Sequence, residues 1–111
     1  MPRKPNLSKL LARWQRKLLL PEWRIRIDWE PRLDENTRGR CFWEGSYGDA
    51  MILINPCPDC WDKDYPVERT IIHELIHLHL APAGDPCPEY IETAVRHLTD
   101  AIWQFHLSHA S

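Results

Sequence analysis

The chain has 111 residues, of which 43% are hydrophobic and 27% charged, a balance typical of one globular domain and not of a disordered chain. No segment approaches the roughly 20 apolar residues of a membrane span, and the apolar run at 18–20 is too short for a secretory signal. We therefore expect a single domain over residues 1–111, monomeric and cytoplasmic, with no membrane contact.

Charge is distributed unevenly along the chain. Residues 1–40 carry eleven Lys and Arg against five Asp and Glu, whereas residues 41–111 carry three against eleven. A basic segment of this kind predicts weak contact with nucleic acid or an acidic partner. A solvated helix and strand that are rich in arginine would give the same balance, and both interpretations stay open.

The first half of the chain predicts one helix and three strands. Residues 7–20 form an amphipathic helical pattern that Pro21 ends. Residues 23–30 alternate between apolar and polar side chains, as in a half-buried strand. Two further strands are predicted at 40–44 and 50–55, and the second is apolar on both faces, so it should be the more buried.

The second half of the chain predicts two helices. The first runs from about Pro66 to Leu80, and the second starts after Asp85 and continues to about Leu107. The element order helix, three strands, two helices predicts an α+β domain. We expect its three-stranded sheet to be mostly antiparallel.

Residues 73–77 read His-Glu-Leu-Ile-His and fall within the first of these two helices. His73 and His77 project from the same side, one turn apart, so their ring nitrogens can bind a single Zn²⁺. Glu74 lies about 100° around the helix and can reach an activated water without ligating the metal. The rest of the helix is apolar almost all round, and two buried imidazoles without partners would be costly. The pattern predicts a metal-assisted hydrolase.

A catalytic zinc usually has three protein ligands and one open position, so the third ligand should come from the last helix. Glu92 lies about 100° from the centre of the apolar stripe of that helix, near the face expected to pack on the motif helix. Glu89 lies near 160° and stays an alternative, whereas His97 lies on the wrong flank. The predicted stripe consists of Ile91, Ala94, Val95, Leu98, Ile102 and Phe105.

With HExxH on one helix and a glutamate on the next, the chain resembles the gluzincin class of zinc metallopeptidases, and its size is similar to that of the minigluzincins. Residues 67–79 are similar to small HExxH proteins of bacteria and their phages. In those proteins the following helix carries a Glu-x-Ala-Ile/Val pattern, matched here by residues 92–95. The resemblance covers residues 50–105 well and implies a minimal zincin-like domain.

The resemblance implies a zinc-dependent peptidase that acts on protein or peptide substrates, with His73, His77 and Glu92 as zinc ligands and Glu74 as general base. We expect an extended substrate to pair with a sheet edge at 40–47. The tetrahedral oxyanion needs a donor besides zinc, for which the candidates are Tyr47, Tyr65, His79 and Tyr90.

The main alternative is a non-catalytic zinc-binding regulatory module that binds protein or DNA through its basic N-terminal segment. A further alternative is a protease that associates with DNA. Cys57 and Cys60 form a CxxC pair, which with Cys41 and Cys87 would make a second metal site or a redox pair. In a reducing cytoplasm the simpler expectation is four free thiols.

Overall fold

The structure, a computed structural model, describes residues 5–20, 23–34, 36–43, 48–56, 66–80 and 88–109, without the side chains of 88–90. The predicted α+β class is confirmed, with three helices and three strands in the described residues. No helix in these ranges combines the length and the apolar character that a membrane crossing requires. The elements are α1 (Leu7–Lys17), β1 (Arg24–Trp29), β2 (Gly39–Trp43), β3 (Asp49–Ile54), α2 (Val67–Leu80) and α3 (Pro88–His109).

Helix α1 begins at a capping residue and ends earlier than its sequence pattern predicts. The Asn6 side chain accepts a hydrogen bond from the backbone N–H of Lys9 at 3.1 Å, which satisfies one of the unpaired donors of the first turn. The helix ends at Lys17 and not at Leu20. The cause is Leu19, whose φ of 59° lies in the left-handed region, so the chain turns there and buries Leu20 in the core.

The sheet has the order β1-β3-β2 and is mixed. β2 and β3 pair antiparallel, but β1 and β3 pair parallel, so the expected mostly antiparallel sheet is wrong for one of the two pairings. The physical reason is that the chain reverses direction from β1 to β2 and again from β2 to β3, so a central β3 runs parallel to β1. The apolar side chains on both faces of β3 favour that central position, with β1 and β2 on opposite sides of it.

Helix α2 is the centre of the packing. It contacts α1, α3, β2 and β3, whereas the backbone of α3 lies close to that of α2 alone among the described helices and strands. The side chains of Ile71, Ile72 and Leu75 are completely buried. The motif helix therefore sits between the sheet and the two other helices, and its position is fixed by apolar packing on several sides.

Replacing Leu75 with Ala is expected to lower the free energy of unfolding by about 2–5 kcal/mol, because it leaves a cavity in a fully packed site. Leu98 on α3 is 45% exposed and offers the same substitution on the surface, where the loss should be roughly 0.5 kcal/mol. Urea denaturation followed by tryptophan fluorescence measures both. Equal losses in the two variants would contradict the central place of α2.

Candidate metal centre

The structure brings together the three side chains that the sequence puts forward as metal ligands. His73 Nε2 lies 3.0 Å from Glu92 Oε1, and His77 Nε2 lies 3.1 Å from Glu92 Oε2. One ligand atom from each residue lies within 4.8 Å of the other two. Two imidazoles from α2 and one carboxylate from α3 thus surround a common point, which is the arrangement a single cation requires.

The rotation of α3 about its axis brings Glu92 to the histidines. Val95 and Thr99 are completely buried, and Trp103 is nearly so, and these residues lie at helical spacing on the same side as Glu92. Thr99 satisfies its hydroxyl by donating to the backbone carbonyl of Val95 at 2.7 Å. The face of α3 that packs against α2 is therefore also the face on which the Glu92 carboxylate lies.

The predicted apolar stripe of α3 is wrong in part. Ala94, Leu98 and Phe105 are exposed, whereas the polar Thr99 is buried. The reason is that, of the described helices and strands, only α2 lies against the backbone of α3, so a narrow face of α3 is buried in this contact. The shift moves the buried face toward Glu92, which strengthens the geometric case for that residue as the third ligand.

Glu74 is buried although it carries a carboxyl group. Its exposed fraction is 6%. Burial, and then the negative charge of Glu92, raise the pKa of Glu74 to about 8, against the smaller opposing effect of Arg40. A bound cation would act in the opposite direction and favour the ionised carboxylate. Glu74 is therefore a group whose proton affinity lies close to neutral pH, as a general base requires.

Cys41 on β2 belongs to the surroundings of Glu74. Burial, together with the charge of Glu74, raises the pKa of the Cys41 thiol to about 12. Cys41 is a free cysteine and stays a neutral thiol at physiological pH.

The environment of His73 favours the neutral, metal-binding form of its imidazole. Burial lowers the pKa of His73, the nearby negative charge of Glu92 opposes this shift, and His77 reinforces it. A metal binds the deprotonated ring nitrogen, so a lowered pKa reduces competition by protons. Within the described residues, His73 Nδ1 is buried and lacks a hydrogen-bond partner.

A glycine allows β2 to approach α2 beside the cluster. A Cβ added at Gly39 would lie 2.8 Å from Thr70 Cγ2 and 3.2 Å from the carbonyl oxygen of Leu53, closer than a side chain can normally sit. The missing side chain thus lets the edge strand lie directly against the motif helix.

The loop before β2 is held in place by Asn55. The Asn55 side chain donates hydrogen bonds to the carbonyl oxygens of Asp34 and Thr37 at 3.1 and 3.0 Å, and its backbone N–H donates to Arg38 O at 2.9 Å. This loop forms one wall of an open cleft of about 460 Å³ next to the ligands. The cleft is lined by residues 36–39, by Arg69, Thr70, His73 and Glu74 of α2, and by Glu92, Arg96 and Asp100 of α3.

Other side chains considered from the sequence lie elsewhere. His79 is exposed, and its Nε2 contacts the carbonyl oxygen of Leu18, so it is not part of the ligand cluster. His97 is exposed on α3 and is likewise outside the cluster. The remaining candidates fall outside the described residues or side chains: Tyr47, Tyr65, Tyr90, Glu89, Cys57, Cys60 and Cys87.

The sequence reasoning missed the arginines of the cleft. Arg69 precedes His73 by one helical turn, and Arg96 follows Glu92 by one turn. Each arginine lies four residues from a proposed ligand on the same helix and therefore on the same face, so this spacing could have identified both of them from the sequence.

Comparison of the chain with protein-family models, with curated proteins and with solved structures finds no match. The likeness to HExxH metallopeptidases that the motif carries therefore stays a prediction. Any functional assignment depends on the chemistry of the ligand cluster, of Glu74 and of the adjoining cleft.

Proposed function

We propose that the protein is a zinc-dependent metallopeptidase in which His73, His77 and Glu92 hold the metal and Glu74 is the general base. The observation that carries the proposal is the convergence of three ligand atoms within 4.8 Å of one another, beside a buried carboxyl group on the same helix as the histidines. A structural zinc site would normally have four protein ligands, whereas the three found in the described residues leave a position for water and substrate.

The donor set favours zinc over the other common cations. Two imidazole nitrogens and one carboxylate suit Zn²⁺, while Ca²⁺ and Mg²⁺ prefer ligands that are all oxygen. When bound, zinc supplies a Lewis acid that lowers the pKa of water and polarises a carbonyl group. The exposed fractions of the ligand side chains, 14% for His73, 20% for His77 and 39% for Glu92, leave the centre accessible from the cleft.

Glu74 supplies the proton transfers that peptide hydrolysis needs. Its carboxylate takes a proton from the attacking water as the new C–O bond forms at the scissile carbonyl carbon. It then gives that proton to the amide nitrogen as the C–N bond breaks, so the amine leaves neutral. Burial supports both steps, since it raises the pKa of the Glu74 carboxyl group and so opposes the lowering that a bound cation would cause.

The edge position of β2 suits the binding of an extended peptide. β2 pairs with β3 on one side and ends the described sheet on the other. A peptide can add to such an edge through main-chain hydrogen bonds. Because β2 also packs against α2, a strand added there would run beside the ligand cluster.

Elemental analysis of the purified protein is expected to find about one zinc per chain. Replacing His77 with Ala should remove both the zinc and the cleavage of an unfolded protein such as reduced casein, because two ligands no longer hold the metal in a catalytic geometry. His79→Ala is the matched control, since it changes the same residue type on the same helix outside the cluster. A His77→Ala variant that keeps its zinc would contradict the proposed ligands.

A further inference from the structure

Three arginines line the cleft that adjoins the ligand cluster. Arg38 comes from the loop before β2, Arg69 from α2 and Arg96 from α3. Of the acidic side chains that the structure describes, Glu74, Glu92 and Asp100 share the cleft. The charges of this cleft decide which substrate side chains it can accept.

The positions of these charges follow from two facing rows on antiparallel helices. On α2, Arg69, His73 and His77 succeed one another at intervals of four residues. On α3 the row is Glu92, Arg96 and Asp100, again at intervals of four. Arg69 pairs with Asp100 at one end of the contact, and the histidines meet Glu92 at the other. Arg96 therefore lies between the ligand cluster and the Arg69–Asp100 ion pair.

Most of the acidic groups in the cleft are already engaged. Asp100 is paired with Arg69, whose side chain is only 16% exposed. Glu92 contacts both histidines and, in the proposed enzyme, binds the cation. Arg96 Nε lies 3.8 Å from Glu92 Oε1, beyond hydrogen-bond distance, and the Arg96 side chain is 71% exposed. Arg96 thus forms only a long ion pair with Glu92, which weakens once Glu92 is committed to a cation, and its exposed guanidinium group borders the open cleft.

We propose, on the basis of the proposed peptidase activity, that this cleft binds a carboxylate of the substrate through Arg96, next to the scissile bond. The carboxylate is that of an Asp or Glu side chain or of the C-terminus of the peptide. A guanidinium group suits either, because its planar donors match the two oxygens of a carboxylate. A polyphosphate chain fits the cleft less well, since its successive charges would meet Asp100 and Glu92.

Matched peptides test the proposal with the zinc-loaded protein. One pair differs by Glu against Gln at each position flanking the scissile bond, and a second pair differs by a free against an amidated C-terminus. We expect at least one pair to show about a tenfold higher kcat/KM for the carboxylate form, the effect of one charge-assisted hydrogen bond. The pair that responds identifies the source of the carboxylate.

Arg96→Gln should bring the preferred pair to a ratio near one. The ratio within one variant does not depend on how much zinc that variant retains, so a disturbed metal site cannot imitate the effect. Arg26→Gln on the exposed face of β1 is the matched control and should leave the ratio at its parental value. Binding gives a second readout: the zinc-loaded Glu74→Gln variant, titrated by tryptophan fluorescence, should bind the carboxylate form more tightly.

The outcomes separate this inference from the proposed function. Equal cleavage of both members of both pairs would overturn the carboxylate site and leave the peptidase in place. A preference that persists in Arg96→Gln would overturn the assignment to Arg96. No cleavage of any peptide by the zinc-loaded protein would overturn the proposed activity, and equal binding of all peptides would then overturn the carboxylate site as well.

Discussion

Replacing Glu74 with Gln is expected to lower kcat/KM for peptide cleavage by about 10²- to 10⁴-fold, the usual contribution of a general base, while zinc remains bound. Glutamine keeps the size of the side chain and its ability to accept a hydrogen bond, but it cannot take a proton at neutral pH. Because the three ligands are unchanged, the metal content should stay at the parental value. Steady-state cleavage together with elemental analysis of the same sample measures both quantities.

Glu30→Gln is the control for this substitution, since Glu30 is a partly buried surface carboxylate that pairs with Arg32 on the loop after β1. It should keep both zinc and cleavage. Parental cleavage by Glu74→Gln would show that Glu74 is not the base, and loss of zinc would show that it holds the metal. A variant that loses cleavage but keeps the biological activity of the protein would favour the non-catalytic regulatory module.

The metal-free protein is expected to lose stability as the pH rises. The pKa of Glu74 is about 8 in the folded chain against 4.5 for an ordinary glutamate, so the folded state holds this proton more tightly than the unfolded state. The contribution of Glu74 to the free energy of unfolding is fully present below pH 4.5 and is lost as the pH rises through 8. Between pH 6.5 and 8 the free energy of unfolding should fall by about 1.6 kcal/mol, because the slope is near 1.36 kcal/mol for each pH unit well below the pKa and halves at the pKa.

This window avoids the opposite effect of His73. Its lowered pKa contributes stability that is present above 6.5 and is lost as the pH falls, so it affects mainly the acidic side. Urea denaturation in the presence of a chelator measures the slope. Glu74→Gln should remove the dependence of stability on pH in this range, because glutamine does not titrate. At pH 8 this variant should have a higher free energy of unfolding than the parent. A parental slope in that variant would assign the effect to another group.

Sequence patterns predicted the features of the fold that are determined by residues close together in the chain. The alternation in β1 and the apolar character of β3 identified the strands, and HExxH on a helix identified the two histidines before any packing was known. Glu92 followed from its angle to the apolar stripe of α3. These predictions needed only the helical or strand period and the chemistry of one side chain.

Features that depend on distant parts of the chain could not be predicted in this way. The parallel pairing of β1 with β3 joins segments about 25 residues apart, and no local pattern specifies the direction of such a pairing. The left-handed backbone at Leu19 likewise depends on the burial of Leu20. The raised pKa of Glu74 depends on its burial and on the charge of Glu92, which only the folded structure reveals.

The attachment of α3 has a consequence for how a metal bound at the proposed site would be released. Within the part of the chain that the structure describes, the backbone of α3 lies against α2 alone. A ring contact of His106 with Trp14 on α1, at 5.0 Å between centroids, adds to this attachment. A cation bound by Glu92 and the two histidines would hold α3 against α2 near the N-terminal end of α3, the end opposite to His106. Release of the ion would then loosen α3. Chelation would therefore disturb both the ligand cluster and the wall of the cleft that carries Arg96.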